Sequence, residues 1–569
     1  MTVAALLAEL RTRDIHVWAA GDQVQVNAPA GALTPEVRDQ LRQRKQEILE
    51  FLLAPSEPSP AQQRLWFLDQ IEMVNTTYLI PWAMRIEGAL QVGALEEALT
   101  SLVARHESLR TTFPMIDAGP VQKVGAAEPL RLKVVNVSGE QEKLQTLMDE
   151  EMHSGFDLAN GPLFRAVLYE LGPAEHVLLF LQHHIISDAW SLSILIRELG
   201  AFYDDAVIRR ESALPDLPVQ YRDYTRWMRE GMQGEVLEEQ LEYWSSQLAG
   251  APQVLDLPTD RPRPPAESHN GAIYSFDISP DVREGLSELC RREGTTLFMV
   301  LLAGLDVLLW RYTGQEDLLV GVPIANRDRE EFEGLIGLFI NTLVVRNDLT
   351  GDPTVKELLA RVNKRCLDAY AHQELPVEML VEHLHPARDL SRNPLFQMML
   401  VLQAKSHKPT FEAAGLRVEP FDVDRRATHV DLTMYVEESE ERLRGIIEYA
   451  TDLFDETTIA RMAGNWHEIL ESMAAFPERN ISELELLTSA ERQRLLVEWN
   501  ATARDYPREA CLQQLIERQV ERVPERTAAI CGATSLSYRE LDQRAKQFAQ
   551  LLRERGIKRG DHVGVCVER

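Results

Sequence analysis

The stretch that decides the fold is Leu181-Gln182-His183-His184-Ile185-Ile186-Ser187-Asp188-Ala189-Trp190-Ser191. Residues 175–181, which lead into it, are mostly apolar and of strand length, so they predict a strand buried on both faces. Apolar residues then recur at helical spacing, and Ser187 or Asp188 is placed to cap that helix. We therefore predict two histidines at the end of a buried strand, beside the positive end of a helix, where folds tend to hold reactive groups against a substrate.

The histidine pair has three interpretations. Adjacent strand residues point to opposite faces, so His183 and His184 cannot readily bind one ion together, and no further His or Cys lies nearby at ligand spacing. We therefore predict no metal site. For a histidine pair without other signals, two satisfied core residues would be the simplest interpretation. The third interpretation is that one histidine faces a cleft and the other packs in the core.

Further motifs favour the cleft. The pattern His183-His184-x-x-x-Asp188, followed by Ala189-Trp190-Ser191, resembles the active-site signature of condensation domains of nonribosomal peptide synthetases, in the chloramphenicol-acetyltransferase-like superfamily. Other blocks that resemble this family follow in the expected order, at 59–68, 105–113, 221–224, 336–342, 372–378 and 388–395. The resemblance implies an α/β (α+β) fold of two chloramphenicol-acetyltransferase-like lobes in a V, with the active site in a tunnel between them.

The resemblance also implies residue roles. His184 is expected to be catalytic, hydrogen-bonding the attacking amine and accepting its proton, with His183 and Asp188 as structural support. A buried carboxylate near a helix start needs a partner, usually an arginine. We expect Arg327 to form that salt bridge with Asp188, with Arg105 or Arg110 as alternatives. The expected substrate-tunnel residues are Ala189, Trp190, Ser191, Asn341 and Thr342.

Two of these tunnel residues have an alternative interpretation. Asn341 and Thr342 lie in the strand-like stretch 338–345, where polar groups need hydrogen-bond partners. They would either line the tunnel or belong to an internal strand whose polar groups are satisfied. Ala189 departs from the family, which usually has Gly there. The added methyl predicts a slightly narrowed channel or a shifted loop, and we expect the site to survive it.

Bulk properties exclude several classes of function. At 569 residues the chain predicts about three or four domains. The formal charge of −29 disfavours nucleic acid as a partner. The five cysteines lack a CxxC spacing, so neither a disulfide framework nor a zinc site is indicated. No membrane-length apolar run and no secretion signal are found, so we expect a cytoplasmic protein with no membrane partner.

Residues 1–53 read as a small helix–hairpin–helix module. A short amphipathic helix precedes two alternating strands around Gly21-Asp22, and Thr34-Pro35 then starts one further helix with a buried face. This order resembles the TubC-type docking domain of synthetase subunits. The resemblance implies capture of the C-terminal tail of an upstream subunit, with residues 24–27, Arg38 and Arg42 as candidate contacts. The alternative is a cap packed on the next domain.

The remaining boundaries follow from composition and resemblance. We predict a Pro-rich linker at 54–59, a condensation domain at 60–480 (N-lobe about 60–230, C-lobe about 231–480) and a linker at 481–510. Residues 511–569 resemble the start of an adenylation domain, through Leu536-Ser537-Tyr538-Arg539-Glu540-Leu541. The adenylation phosphate loop and a carrier-protein segment are not found in the sequence. We therefore expect a fragment of a longer subunit that binds no cofactor itself.

The predicted function is peptide-bond formation between two thioesters. A donor acyl or peptidyl thioester and an acceptor aminoacyl thioester would be presented on the phosphopantetheine arms of two carrier proteins. A heterocyclisation domain would need Asp at position 183, where this chain has His. The alternatives kept are an epimerisation domain and a non-catalytic carrier-recruitment platform.

Overall fold

The computed structural model describes residues 3–11, 13, 15–20, 23–29, 31–71, 77–117, 119–210, 212–386, 389–403, 413, 415–423, 427–439 and 442–567. The chain divides into two compact units, Met1–Thr488 and Ser489–Arg569. The predicted hairpin turn Gly21-Asp22 and the first residue of the 388–395 block, Arg388, lie outside the described residues.

The N-terminal module has the predicted hairpin but one more helix than expected. Its elements are α1 (Val3–Arg11), β1 (His16–Ala20), β2 (Gln23–Asn27), α2 (Pro35–Gln43) and α3 (Lys45–Leu53), and β1 pairs antiparallel with β2. The prediction of one continuous helix after Thr34 is wrong, because the chain breaks at Arg44. The break lets the apolar residues of α2 and of α3 reach one small core, which contains Val37, Leu41, Ile48, Leu49 and Leu52.

The next part of the chain alternates helices and strands. The helices are α4 (Pro60–Ile71), α5 (Val92–Arg105), α6 (Leu144–His153), α7 (Ala189–Ile208), α8 (Tyr221–Gly231) and α9 (Gly234–Leu248). The strands are β3 (Leu79–Gly88), β4 (Thr111–Thr112), β5 (Met115–Ile116), β6 (Gly119–Pro120), β7 (Lys123–Val124), β8 (Lys133–Asn136), β9 (Phe164–Gly172) and β10 (Glu175–His183). The region from residue 271 onward adds α10 (Pro280–Glu293), α11 (Leu297–Thr313), β11 (Gly271–Ile278), β12 (Asp317–Ile324), α12 (Glu330–Glu333), β13 (Asn341–Asp348), α13 (Val355–Tyr370), α14 (Val377–Leu384), β14 (Met398–Gln403), β15 (Leu416–Phe421), β16 (Leu432–Glu438), β17 (Leu443–Ala450) and α15 (Glu456–Ala475).

The first lobe, called the N-lobe, is built on a five-stranded sheet of order β15-β3-β10-β9-β8. β10 lies at its centre and pairs antiparallel with both β3 and β9. Leu178 and Phe180 belong to the core that contains the apolar faces of α5 and α7, whereas Val177, Leu179 and Leu181 pack with residues of α6. Because successive strand residues point to opposite faces, the mostly apolar run fills both cores, and the predicted doubly buried strand is confirmed.

The second lobe, called the C-lobe, is built on a six-stranded sheet of order β11-β17-β16-β14-β12-β13. Its core includes the nearly all-apolar helix α11 together with α10, α13 and α15. Trp244 of α9 also packs into this core. Residues 338–340 of the strand-like stretch precede β13, which begins at Asn341. The prediction of a strand from residue 338 is therefore wrong by three residues.

Two segments from the second half of the chain join the lobes. β15 follows β14 of the C-lobe in sequence, yet it pairs antiparallel with β3 of the N-lobe sheet. The loop after β12 carries Phe332, Leu335, Ile336, Leu338 and Phe339 into the N-lobe core. The two lobes are therefore not separate stretches of sequence on either side of residue 230.

The second unit contains α16 (Ser489–Gln493), α17 (Leu512–Arg522), β18 (Thr527–Cys531), β19 (Thr534–Ser537) and α18 (Tyr538–Glu554). β18 and β19 form an antiparallel pair, and Ser537 caps α18 with Glu540 in a reciprocal capping box. Within the described parts of both units, no single helix is long and apolar enough to cross a membrane; only the pair α10 and α11, bent by 108°, passes that test together.

Candidate active site

The two histidines at the end of β10 differ sharply in environment. His183 is fully buried, its Nδ1 accepts a hydrogen bond from the Ile185 N–H at 3.1 Å, and Phe156 meets its ring edge-on. Burial lowers the pKa of His183 to about 3, so the ring is neutral. His183 therefore acts as a packed, hydrogen-bonded end to the strand.

His184 does not continue the strand. It opens a 3₁₀ turn over residues 184–186, and its backbone N–H donates to the Tyr78 carbonyl at 2.7 Å. Its side chain is half-buried, and among the described residues Nδ1 has no hydrogen-bond partner of normal geometry. Burial lowers the pKa of His184, while backbone groups of residues 184 and 187 and the Asp188 carboxylate oppose that effect. The structure thus presents a neutral imidazole that can accept a proton.

His184 lies in a cleft enclosed by protein and reached by solvent. His429, just before β16 of the C-lobe, is exposed, yet desolvation lowers its pKa to about 3. Glu378 of α14 is half-buried and its pKa is raised by desolvation. A side chain that is accessible and also strongly desolvated is surrounded by protein at a short distance, as in the lining of a deep cleft. Tyr78 bonds to the His184 backbone and stacks on the His429 ring, and the two imidazoles interact electrostatically, so the two histidines lie near each other where the lobes meet.

Asp188 connects the start of α7 to the loop after β12. As the helix N-cap, its Oδ1 accepts from the Ser191 N–H at 2.7 Å, and its Oδ2 accepts from the Phe339 N–H at 3.0 Å. Arg327 Nη2 lies 3.3 Å from Asp188 Oδ1, and both side chains are buried. The structure therefore brings the two residues of the predicted salt bridge together, in a place where the carboxylate is fully occupied by structural contacts.

Arg327 and Ser191 complete this contact, which we call the interlobe clamp (Asp188, Ser191, Arg327, Gly337 and Phe339). Arg327 Nη1 donates to the carbonyls of Phe332 at 2.6 Å and Leu335 at 2.8 Å. The Ser191 hydroxyl donates to the Gly337 carbonyl at 2.9 Å and accepts from the Gly337 N–H at 3.0 Å. The Arg327 guanidinium also lies 3.9 Å above the Phe339 ring. The clamp thus fixes the helix start behind His184 against a C-lobe loop.

The alternative partners for Asp188 are engaged elsewhere. Arg105 and buried His106 both contact Glu198 of α7, at 3.0 Å and 2.7 Å. Arg110 lies 3.9 Å from Glu107, which also pairs with Arg222 of α8. These charges tie α5, α7 and α8 together.

The five expected tunnel residues are placed differently from one another. Ala189 is exposed at the first position of α7, and the half-buried Trp190 donates its indole N–H to the Glu333 carbonyl at 3.1 Å. Ser191 is buried and its hydroxyl belongs to the clamp. The buried Asn341 amide donates to the carbonyls of Gln373 and Leu375 and accepts from the Val377 N–H. It therefore anchors the 373–377 loop, while the half-buried Thr342 lies beside it in β13.

Sequence reasoning missed the C-lobe side of the cleft. His429 and Glu378 come from elements far apart in sequence, and Tyr78 and Arg64 come from the N-lobe opposite. Tyr78 stacks on His429 with centroids 5.1 Å apart, and Arg64 lies 3.9 Å from Glu378. One signal was available in the sequence. His429 lies two residues before Asp431 and just before an apolar strand, whereas His184 lies four residues before Asp188 and just after an apolar strand.

One group of described residues could hold a metal ion by proximity. His467, Glu468 and Glu471 of α15 have ligand atoms within 4.8 Å of one another. His467 Nε2 already accepts a hydrogen bond from the Ser279 N–H at 3.4 Å. None of these residues belongs to the cleft described above.

Comparison with known proteins matches three regions of the chain. The family model of the condensation domain matches residues 57–496, that of the TubC N-terminal docking domain matches 3–53, and that of the AMP-binding enzymes matches 516–569. One of the linear gramicidin synthase proteins of Brevibacillus parabrevis is 44% identical over 516 residues, which is 90% of this chain and 10% of that protein. This chain spans only 7–10% of the length of three linear gramicidin synthase proteins from that organism.

Solved structures share the fold. A holo four-domain nonribosomal peptide synthetase bound to AMP and glycine is 26% identical with a TM-score of 0.79, over 90% of this chain and 39% of that one. The X-domain from teicoplanin biosynthesis, solved in complex with OxyB, is 31% identical with a TM-score of 0.71, over 76% of this chain and 96% of that one.

Proposed function

Because this chain belongs to the condensation-domain family of nonribosomal peptide synthetases, which are acyltransferase-type enzymes that form peptide bonds, we propose that it joins two carrier-bound thioesters at His184. The acceptor's α-amine attacks the carbonyl of the donor acyl or peptidyl thioester. A C–N bond forms, the C–S bond breaks, and the donor thiol leaves. The observation that supports this most is the neutral, accessible imidazole of His184 inside the interlobe cleft.

The chemistry requires alignment more than activation. A thioester is already reactive, so holding amine and carbonyl at attack distance supplies much of the acceleration. An α-amine has a pKa near 8, so about a tenth of it is uncharged at pH 7. Neutral His184 accepts a hydrogen bond from that amine and takes its proton as the tetrahedral intermediate forms. The proton then passes to the departing thiolate, which balances the reaction.

The remaining site residues hold the geometry. Asp188 and Arg327 belong to the interlobe clamp, so they set the distance between the two walls of the cleft. His183 packs the strand end from which His184 projects. Ala189, Trp190 and Thr342 retain accessible surface and are the lining residues we propose to contact the phosphopantetheine-bound substrates.

We propose that residues 3–53 bind the C-terminal tail of an upstream synthetase subunit. β2 is one edge of the β1–β2 hairpin, and an extended peptide can add to such an edge. Arg38 and Arg42 are exposed on α2 and would attract an acidic tail. Charge-reversing both arginines should weaken subunit docking without changing the rate of condensation when carriers are supplied in excess.

The test is His184→Ala, assayed for amide product with both carriers loaded, with product identified by mass spectrometry. His153→Ala is the matched control, since His153 is an exposed histidine on α6. Loss of product with retained carrier binding supports the proposal. Full activity would remove His184 from the mechanism.

A second candidate function is a recruitment platform without turnover. It is favoured by the similarity to the X-domain, which was solved with OxyB bound. The two candidates separate in the same assay. A platform binds loaded carriers but makes no amide, even with an intact His184.

A further inference from the structure

We propose that His429 is a second functional imidazole of this reaction: it accepts a hydrogen bond from the attacking amine and positions that nucleophile beside His184. The inference rests on the proposed function. It adds a substrate-contacting residue that lies on the C-lobe, about 245 residues away from the histidine pair in sequence.

Tyr78 links the two histidines across the cleft. The Tyr78 carbonyl accepts the backbone N–H of His184 at 2.7 Å. Its ring stacks on the His429 ring, with centroids 5.1 Å apart and planes at 10°. One residue therefore fixes the backbone at His184 and the ring orientation of His429. The electrostatic interaction between the two imidazoles agrees with this proximity.

The bend that carries His429 is anchored on both sides. Two residues further on, Asp431 forms a bidentate ion pair with Arg263, of which Nη1 lies 2.8 Å from Oδ1. One residue before it, the Thr428 N–H donates to the His269 carbonyl at 3.0 Å, and the Thr428 carbonyl lies 3.2 Å from His269 Nδ1. Such anchoring holds an imidazole in a fixed position before substrate arrives.

The His429 ring is available to a ligand. The residue is exposed, and neither ring nitrogen makes a hydrogen bond to any part of the chain that the structure describes. It lines a small, partly open pocket whose walls also include Glu267, His269 and Arg263. The ring is therefore open to solvent and to a ligand on this side.

A neutral second acceptor suits an amine nucleophile. A free amine has two N–H groups and one lone pair, so two neutral imidazoles can take the N–H groups while the lone pair faces the thioester carbon. A carboxylate in the same position would stabilise the ammonium form and oppose attack. As the C–N bond forms, the nitrogen becomes positive and its hydrogen bonds strengthen, so the contact favours the transition state.

The charges around His429 keep it neutral. Desolvation lowers its pKa most, and His184, His269 and Arg64 lower it further. Glu267 also faces the pocket, and its own pKa is raised by desolvation. His429 should therefore act by hydrogen bonding over the whole working pH range, and proton transfer stays with His184.

The experiment compares His429→Ala and His429→Asn with wild type in the full chain, using His153→Ala as control. Both carriers are loaded from alanyl-, leucyl- and phenylalanyl-CoA, and the pair that gives the highest wild-type rate is kept for every variant. His429→Ala should lower kcat about tenfold or more, as for one lost hydrogen bond that is strongest in the transition state, with KM for the acceptor carrier within about twofold. His429→Asn supplies a neutral acceptor and should recover part of kcat.

The pH profile supplies the readout that a structural role would not move in this way. The loss in His429→Ala should be equal from pH 6 to 9, because a neutral acceptor contributes at every pH in that range. Wild-type kcat in folded His429→Ala, an effect confined to KM, no recovery in His429→Asn, or the disappearance of an ionisation from the profile would each overturn the inference. Full activity of His184→Ala would instead overturn the proposed function.

Discussion

Replacing Arg327 by Met tests the interlobe clamp. The guanidinium donates to two loop carbonyls at 2.6 and 2.8 Å, to the Ser191 hydroxyl at 2.9 Å, and to Asp188 at 3.3 Å. Removing one partner of a buried ion pair costs about 3–5 kcal/mol. Arg327→Met leaves the buried Asp188 carboxylate without its counter-charge and two loop carbonyls without their donor, and both changes contribute to the loss. The expected effect is local opening between the start of α7 and the loop after β12.

Hydrogen exchange followed by mass spectrometry measures this opening. A loss of 3–5 kcal/mol predicts exchange about 10²–10⁴-fold faster in peptides covering 186–195 and 327–340. Peptides from α15 serve as the internal reference, and Arg329→Met is the matched control in the same loop. Arg327→Lys keeps the charge but loses the planar fork, so it should recover less than half of the protection. Wild-type exchange in Arg327→Met, or full recovery in Arg327→Lys, would refute the reasoning.

Two further predictions concern stability. Asp306 is fully buried in α11 beside Asn347 and its pKa is strongly raised by desolvation, so the native state keeps its proton where the unfolded chain has lost it. The free energy of unfolding of the wild type should therefore fall by up to about 1.4 kcal/mol per pH unit above the unfolded pKa of about 4. Urea unfolding at pH 5 and pH 8 measures this fall, and Asp306→Asn should remove it. An equal pH dependence in wild type and Asp306→Asn would contradict the prediction. A Cβ on Gly337 would lie 2.0 Å from the Tyr221 ring, so Gly337→Ala should cost about 1–3 kcal/mol and lower the melting temperature. Gly334→Ala, whose Cβ would meet Leu217 at 3.7 Å, should have little effect, and equal melting temperatures for the two variants would count against the clash.

The spacing of apolar and capping residues was enough to predict the strand and the helix that hold the site. The mostly apolar run before His183 predicts a strand at the centre of a sheet that is covered on both faces, as observed. Of the two candidate caps, Ser187 and Asp188, the structure uses Asp188. Helix α5 likewise buries one face, whose residues recur at helical spacing: Leu95, Ala98, Leu99, Leu102 and Val103.

Three features of the site depend on contacts between residues far apart in sequence, so the local sequence pattern could not predict them. His184 opens a 3₁₀ turn although its N–H still bonds to the Tyr78 carbonyl, in continuation of the β10–β3 register. Asn341 has a polar side chain in an apolar strand, and only the placement of the 373–377 loop decides that its amide is used internally. His429 meets the cleft because β16 lies inside the C-lobe sheet while β15, just before it, crosses to the N-lobe sheet. None of these contacts has a signature within a short window of sequence.

The central claim, that His184 takes part in bond formation, is tested most directly by single-turnover rates with both carriers loaded and enzyme in excess. We predict that amide formation falls about 10²–10⁴-fold in His184→Ala while carrier binding and the melting temperature stay at wild-type values. A single-turnover rate equal to that of wild type would contradict the account.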